Sequence, residues 1–171
     1  MSGPGTKRSS GSRPAVVLAG LIACALITAV PPAFAGELGW TVYAGRWAVA
    51  KDGEATEVGA EIRRPLGALG FDAAAGLAGT ADEAVWGYAG VAFGWDVTER
   101  WQLRPGFAVS LFDKGDGRDL GGPLEFRSSL EIARRFGRDL RVGLLYYHLS
   151  NARLYDVNPG SNSMVLVVGF Q

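Results

Sequence analysis

The fold is decided by the alternation of residues along the stretch Trp101-Gln102-Leu103-Arg104-Pro105-Gly106-Phe107-Ala108-Val109-Ser110-Leu111. Its odd-numbered residues are apolar or aromatic, whereas its even-numbered residues are polar or small. Successive side chains of a β-strand point to opposite faces, so this period of two predicts a strand with one apolar face. The same alternation is found in residues 57–63 and 124–132, where charged side chains occupy the second face.

Together with this stretch, eight segments show strand character, and turn signals separate them. Each is close to the ~9–11 residues that a tilted strand needs to cross a bilayer, and bacterial outer-membrane barrels have an even number of strands. The predicted fold class is therefore all-β, an eight-stranded antiparallel up-and-down transmembrane β-barrel within residues 36–171. The predicted strands span residues 39–49, 55–64, 69–79, 84–96, 100–111, 123–134, 139–150 and 162–170.

The polarity of the two faces distinguishes two kinds of barrel. Charges at consecutive inward positions suit a polar lumen, and faces that carry Trp, Phe and Leu suit contact with lipid. A water-soluble carrier of the lipocalin type would have the inverted pattern, and it is the alternative. The connections favour the membrane barrel, because short turns near 96–99 and 135–138 alternate with long polar segments at 112–122 and 151–161, as periplasmic turns alternate with external loops.

The N-terminal segment has the pattern of a signal peptide. Basic residues precede an apolar run over residues 15–30, and Ala33-Phe34-Ala35 is a small-residue cleavage site. We therefore predict a signal peptide over residues 1–35. An uncleaved membrane anchor and lipidation of Cys24 are the alternatives left open.

Composition and charge make several functions improbable. The sequence has 17 basic and 17 acidic residues, and removal of Lys7, Arg8 and Arg13 with the signal peptide leaves 14 against 17, a net charge of −3. No basic patch points to nucleic acid. The sequence has one histidine and one cysteine, so a transition-metal site is not expected. It has no phosphate loop or cofactor motif, and no cofactor is predicted.

The one histidine stands two residues before a serine at the end of the seventh predicted strand. Residues i and i+2 of a strand share a face, so His148 and Ser150 lie on the same face as Leu144 and Tyr146. The apolar character of this face indicates that it is the lipid side. This strand rises from the periplasm in the predicted topology, so the pair faces the outer leaflet. A neutral imidazole can take the serine proton, so the pair is a candidate base and nucleophile. An interfacial His and Ser without chemistry is the alternative.

Two motifs resemble a known family, the outer-membrane lipid A 3-O-deacylases (PagL-like), also called acyloxyacyl hydrolases. These motifs are His148-Leu149-Ser150-Asn151-Ala152 and Asn158-Pro159-Gly160, and Leu124-Glu125-Phe126-Arg127 upstream is a further likeness. The similarity in motifs covers the chain from Leu124 onward, and the first half agrees only in strand pattern and length.

The resemblance implies an eight-stranded barrel that removes the 3-O-linked acyl chain from lipid A. It also implies that Ser150 is the nucleophile, His148 the general base and Asn151 an oxyanion donor. The family's acid falls on Asn162 in this sequence. An amide can orient a histidine, but it cannot stabilise the imidazolium with a negative charge. Asp156, in the same loop, is a candidate substitute acid.

The expected function is hydrolysis of an acyl ester of lipid A by a protein exported to the outer membrane of a Gram-negative cell. The expected partners are lipid A or lipopolysaccharide and the membrane, without nucleic acid, and a homodimer is left open. The alternative is a non-catalytic barrel of the same family with a structural, lipid-binding or surface-interaction role. Asn162 is the feature that favours this alternative.

Overall fold

The computed structural model describes residues 37–67 and 69–170, and the predicted signal peptide lies outside the described residues. The described chain forms nine β-strands in one antiparallel sheet. The strands are β1 Gly39–Trp47, β2 Ala55–Pro65, β3 Phe71–Thr80, β4 Val85–Phe93, β5 Trp95–Asp96, β6 Trp101–Asp113, β7 Leu124–Phe136, β8 Leu140–Ser150 and β9 Ser161–Phe170.

The sheet closes on itself through the pairing of β1 with β9. Strand β4 pairs with β3 on one side and with β6 on the other, so the two-residue β5 is a short extension of β4 and not a separate wall strand. Eight strands therefore surround the lumen, each antiparallel to both of its neighbours. This confirms the predicted fold class.

Every predicted strand differs from the observed one by one to three residues at an end, and two of these differences have a local backbone cause. The predicted strand over 39–49 ends before Ala48, whose φ of 54° turns the chain. The predicted strand over 84–96 is interrupted at Gly94, whose backbone nitrogen donates to the carbonyl of Gly70 at 2.8 Å, away from the regular ladder. Each interruption depends on the backbone geometry of a single residue, and the alternation of polar and apolar side chains does not indicate that geometry.

Side chains of the wall strands alternate between lipid and lumen. On β6, Phe107 and Val109 point outward and are 51% and 46% exposed, while Arg104 and Ser110 point inward and are buried. A soluble carrier needs the reverse arrangement, with polar side chains outside and apolar ones inside. The apolar exterior and charged lumen are the pattern of a transmembrane barrel.

Ion pairs link strands across the lumen in the half of the barrel nearer the short turns. Arg63 bonds the carboxylates of Glu61 and Glu131, with its Nη2 2.6 Å from Glu131 Oε2. Arg141 Nε lies 3.0 Å from the other carboxylate oxygen of Glu131. An unpaired charge is costly to remove from water, so these pairs lower the cost of filling the lumen with charged side chains.

The connections differ in length at the two ends of the barrel. The loops 48–54, 114–123 and 151–160 lie at the end where β8 finishes, together with the short connection 81–84, and the short turns 97–100 and 137–139 lie at the other end. This agrees with the predicted topology, in which long loops are external and short turns periplasmic. Within the described residues, no helix has the length and hydropathy needed to span a membrane.

Leu144→Arg should impair assembly of the barrel in the membrane, because Leu144 lies midway along β8 and points outward. A cation at the midplane of a barrel costs about 2–4 kcal/mol, whereas one near the interface costs about 0–1 kcal/mol. Leu140→Arg is the matched control, since Leu140 lies on the same face at the end of the strand. The measurement is the folded fraction, seen as heat-modifiable mobility on gels. Equal folding of the two variants would contradict the assignment of this face to lipid.

Candidate functional site

His148 and Ser150 occupy the last two outward positions of β8. Val142, Leu144 and Tyr146 precede them on the same face and are exposed, whereas His148 and Ser150 are half-buried. The pair therefore stands on the outer wall of the barrel, at the end that carries the longer loops. This position agrees with the expectation from sequence.

Asn162 contacts the imidazole of His148. The two residues face each other in the register of β8 and β9, and His148 Nδ1 lies 2.7 Å from Asn162 Oδ1. An amide oxygen can only accept a hydrogen bond, so this contact assigns the ring proton to Nδ1 and leaves Nε2 with a lone pair. An imidazole in this tautomer can accept the proton of a serine hydroxyl.

Asp156 lies in the loop 151–160, whereas Asn162 is the second residue of β9. Asp156 is exposed on this loop, and among the described side chains it is Asn162 that hydrogen-bonds the His148 ring. The role of Asp156 as a substitute acid stays a prediction.

Asn151 is fully buried and joins three loop segments. Its Nδ2 donates to Leu120 O at 2.7 Å and to Val157 O at 2.9 Å, and its Oδ1 accepts from Arg153 N at 3.0 Å. Its backbone N–H donates to Asn158 Oδ1 at 3.1 Å. Both amide protons are thus engaged by loop carbonyls. The oxyanion role of Asn151 stays a prediction, and the side chain would have to release one of these bonds to fulfil it.

Gly160, the glycine of the second motif, packs against the imidazole. Its φ is +55°, a conformation that side chains rarely adopt. A Cβ at this position would lie 2.8 Å from His148 Cε1 and 3.1 Å from His148 Nε2. A side chain here would displace the ring, so the motif requires glycine both for its backbone and for the space it leaves. The sequence indicated this residue through the motif but gave no sign of its contact with His148.

The described residues contain no group of three or more His, Cys, Asp or Glu side chains that could hold a metal ion. The candidate site itself offers a hydroxyl at Ser150, an imidazole at His148 and a neutral acceptor at Asn162, the kinds of group that nucleophilic ester hydrolysis uses.

Comparison with known families gives one match. The family model described as lipid A 3-O-deacylase (PagL) matches residues 38–171, which include all of the wall strands. Among curated proteins, none matches the chain.

Solved structures similar to this chain are also small membrane barrels. The crystal structure of the outer membrane enzyme PagL has a TM-score of 0.54 and 17% sequence identity, and the match covers 78% of this chain and 99% of that one. Neisserial surface protein A has a TM-score of 0.57 and 9% identity, covering 80% and 97%. The designed barrel TMB2.3 has a TM-score of 0.55 and 12% identity, covering 80% and 94%. At these identities, the likeness establishes the fold alone.

Proposed function

Because the chain belongs to the PagL family of lipid A 3-O-deacylases, we propose that it hydrolyses the 3-O-linked acyl ester of lipid A in the outer leaflet. The chain is an outer-membrane β-barrel, and lipid A is the lipid that its outer wall meets. The proposal rests on the contact between His148 Nδ1 and Asn162 Oδ1. His148 lies two residues before Ser150 on the outer wall.

The outward position of the site supports a lipid substrate. A water-soluble substrate would reach the lumen or the loops, whereas His148 and Ser150 share their face with exposed apolar residues of β8. An acyl ester of a lipid in the outer leaflet can approach this face without leaving the membrane. The polar head of such a lipid would lie at the level of the loops.

The mechanism follows from the roles of the two side chains. Ser150 Oγ attacks the ester carbonyl while His148 Nε2 takes the hydroxyl proton. The bond between the acyl carbon and the sugar oxygen then breaks, and His148 returns the proton to the sugar oxygen. Water, deprotonated by His148, then attacks the acyl carbon; the bond to Ser150 Oγ breaks, His148 returns the proton to Ser150, and the acyl chain leaves as a free fatty acid. Asn162 holds the ring in the tautomer that both steps need.

Asn162 also sets a limit on the rate. Its amide oxygen orients the ring but brings no negative charge to the imidazolium that forms in each step. The corresponding Asp-to-Asn change in a serine protease costs about 10⁴ in turnover, but that loss includes a wrong histidine tautomer, so the cost should be smaller here, where Asn162 keeps the tautomer. We therefore expect a slow esterase. The same neutral residue favours the second candidate function, a non-catalytic barrel that binds lipid or another surface partner. The homodimer has no support in the comparisons and is not part of the proposal.

The site of cleavage is tested with purified protein in detergent and lipid A of defined acylation. Mass spectrometry should detect a free 3-hydroxy fatty acid and a lipid A lighter by that chain. Lipid A that already lacks the 3-O-linked chain is the matched control and should be left unchanged. Equal release from both substrates would mean that another ester is cut.

Gly160→Ala should reduce turnover by about 10²-fold, since a displacement of about 1 Å at a reacting group costs that much. Gly137→Ala is the matched control. Gly137 has a similar φ of +69°, but a Cβ there meets nothing within 4 Å, so both variants carry the same backbone strain and only one touches His148. The rate of fatty acid release and the unfolding temperature are measured for both. Equal loss of activity in the two variants would contradict the role of the Gly160 contact.

A further inference from the structure

Two cations from different loops converge on the carbonyl of Gly160. Lys51 Nζ donates to Gly160 O at 3.2 Å and to Pro159 O at 2.9 Å. Arg118 Nε donates to the same Gly160 O at 3.1 Å, and its Nη1 donates to Asp52 O at 2.9 Å. The β1–β2 loop and the β6–β7 loop thus each bring one positive charge to the second motif.

Neither charge is neutralised within the part of the chain that the structure describes. The partners of Lys51 and Arg118 are carbonyl oxygens, and neither side chain forms an ion pair with a carboxylate there. Lys114, in the same loop as Arg118, shows the usual alternative. Its Nζ lies 2.7 Å from Asp119 Oδ2, and this hydrogen bond lowers the pKa of the Asp119 carboxyl.

Both cations keep donors for a ligand. A lysine ammonium has three N–H donors and a guanidinium has five, and the contacts with carbonyls use two on each side chain. Lys51 and Arg118 are half-buried, so these donors are held in place by the loops and are still reachable.

The two cations adjoin the catalytic pair. The carbonyl that they share belongs to Gly160, whose Cβ position lies 2.8 Å from His148 Cε1. The β1–β2 loop also touches Asn162 directly, because Val49 N donates to Asn162 O at 3.0 Å. The loops stand above the apolar wall, at the level where the head of an outer-leaflet lipid lies. A negative group on the same lipid head as the ester would therefore meet these donors.

We propose that Lys51 and Arg118 bind a phosphate group of lipid A and so hold the sugar with its ester at Ser150. The inference rests on the proposed function and adds a specificity determinant to it. Lipid A is a phosphorylated sugar lipid, and phosphate is the group that a guanidinium fork and an ammonium recognise best. In this assignment the apolar wall selects the acyl chain and the two cations select the phosphorylated head.

The alternative is that the two side chains only pin the turn at Gly160. Lys51→Gln and Arg118→Gln separate these roles, because glutamine keeps an amide donor for the carbonyl and removes the charge. Lys114→Gln is the matched control, since it removes a charge of the same loop that Asp119 already neutralises. Ser150→Ala is included in every protein so that the substrate is bound and not consumed.

Binding is measured by fluorescence quenching in detergent micelles with lipid A and with the same lipid A after removal of its phosphates. The Ser150→Ala protein should bind the phosphorylated lipid at least about tenfold more tightly than the dephosphorylated lipid, because the latter cannot accept charge-assisted hydrogen bonds from the two cations. Lys51→Gln with Arg118→Gln should abolish this preference, and Lys114→Gln should preserve it. The preference should also weaken as salt is raised.

Three results would overturn the inference. They are equal binding of the two lipids, an unchanged preference in the doubly substituted protein, and full competition by millimolar inorganic phosphate, which would assign the site to free phosphate. Because binding is measured without turnover, it stays informative if the wild-type protein fails to release fatty acid. That failure would count against the proposed hydrolysis, whereas loss of the preference would count against the phosphate contact.

Discussion

Ser150→Ala and His148→Ala should each abolish the release of 3-hydroxy fatty acid from lipid A. The first substitution removes the attacking oxygen, and the second removes the group that takes its proton. In serine hydrolases each such loss costs at least about 10⁴ in turnover, although binding and any oxyanion site remain. The barrel should persist, since both side chains lie on the outer wall and not in the packed lumen. The measurement is the initial rate of fatty acid release by folded protein.

The double variant provides the control for a shared step. Because Ser150 and His148 act together, the losses should not add, and Ser150→Ala with His148→Ala should be as inactive as either alone. Leu140→Arg, at the other end of the same face of β8, should leave the rate unchanged. Residual activity above one tenth of the wild-type rate in Ser150→Ala would end the serine mechanism.

Asn162→Asp should raise turnover by at least about tenfold but by less than about 10⁴-fold, because the 10⁴-fold cost of the reverse change in a serine protease includes a wrong tautomer that Asn162 avoids. Aspartate has the shape of asparagine, so its carboxylate can take the position of Oδ1, 2.7 Å from His148 Nδ1. The gain comes from charge, because the carboxylate stabilises the imidazolium in both steps. Asn162→Glu tests the same idea with a longer side chain and a less certain fit. The measurement is kcat with saturating lipid A.

Asp156 supplies the contrasting test. If Asp156 moved in to serve as the acid, Asp156→Asn would be damaging and Asn162→Asp would change little. The structure leads us to expect the opposite, since Asp156 is exposed and the ring is bonded to Asn162. Asp156→Asn should therefore keep the wild-type kcat. A tenfold loss in this variant would assign the orienting role to Asp156.

Alternation along the chain was enough to predict the faces of strands such as β2, β6 and β7, whereas the alanine- and glycine-rich β3 shows little contrast. Residues such as Phe107 and Arg104 follow a period of two, and a closed barrel converts this period directly into outside and inside. The outward position of His148 and Ser150 follows from the same rule. Interruptions at Ala48 and Gly94 were missed, because positive φ angles and local departures from the ladder arise from neighbours distant in sequence.

Contacts between loops could not be predicted in this way. Asn151 was assigned to an oxyanion from its motif, and only the folded chain shows that its amide bonds Leu120 and Val157. Lys51 and Arg118 are far apart in sequence and meet at Gly160 because the barrel brings their loops to one end. Strand periodicity says nothing about such loops. The contact of His148 with Asn162 was indicated by motif spacing, and the register of β8 and β9 explains it.

The most direct test of the central claim is mass spectrometry of lipid A from Gram-negative cells that produce this protein. Cells with the wild-type protein, with Ser150→Ala and with neither are compared at equal amounts of folded barrel in the outer membrane. We expect a lipid A species lighter by one 3-hydroxyacyl chain in cells with the wild-type protein alone. Lipid A that is unchanged by the wild-type protein, or that loses the same chain with Ser150→Ala, would contradict the central claim.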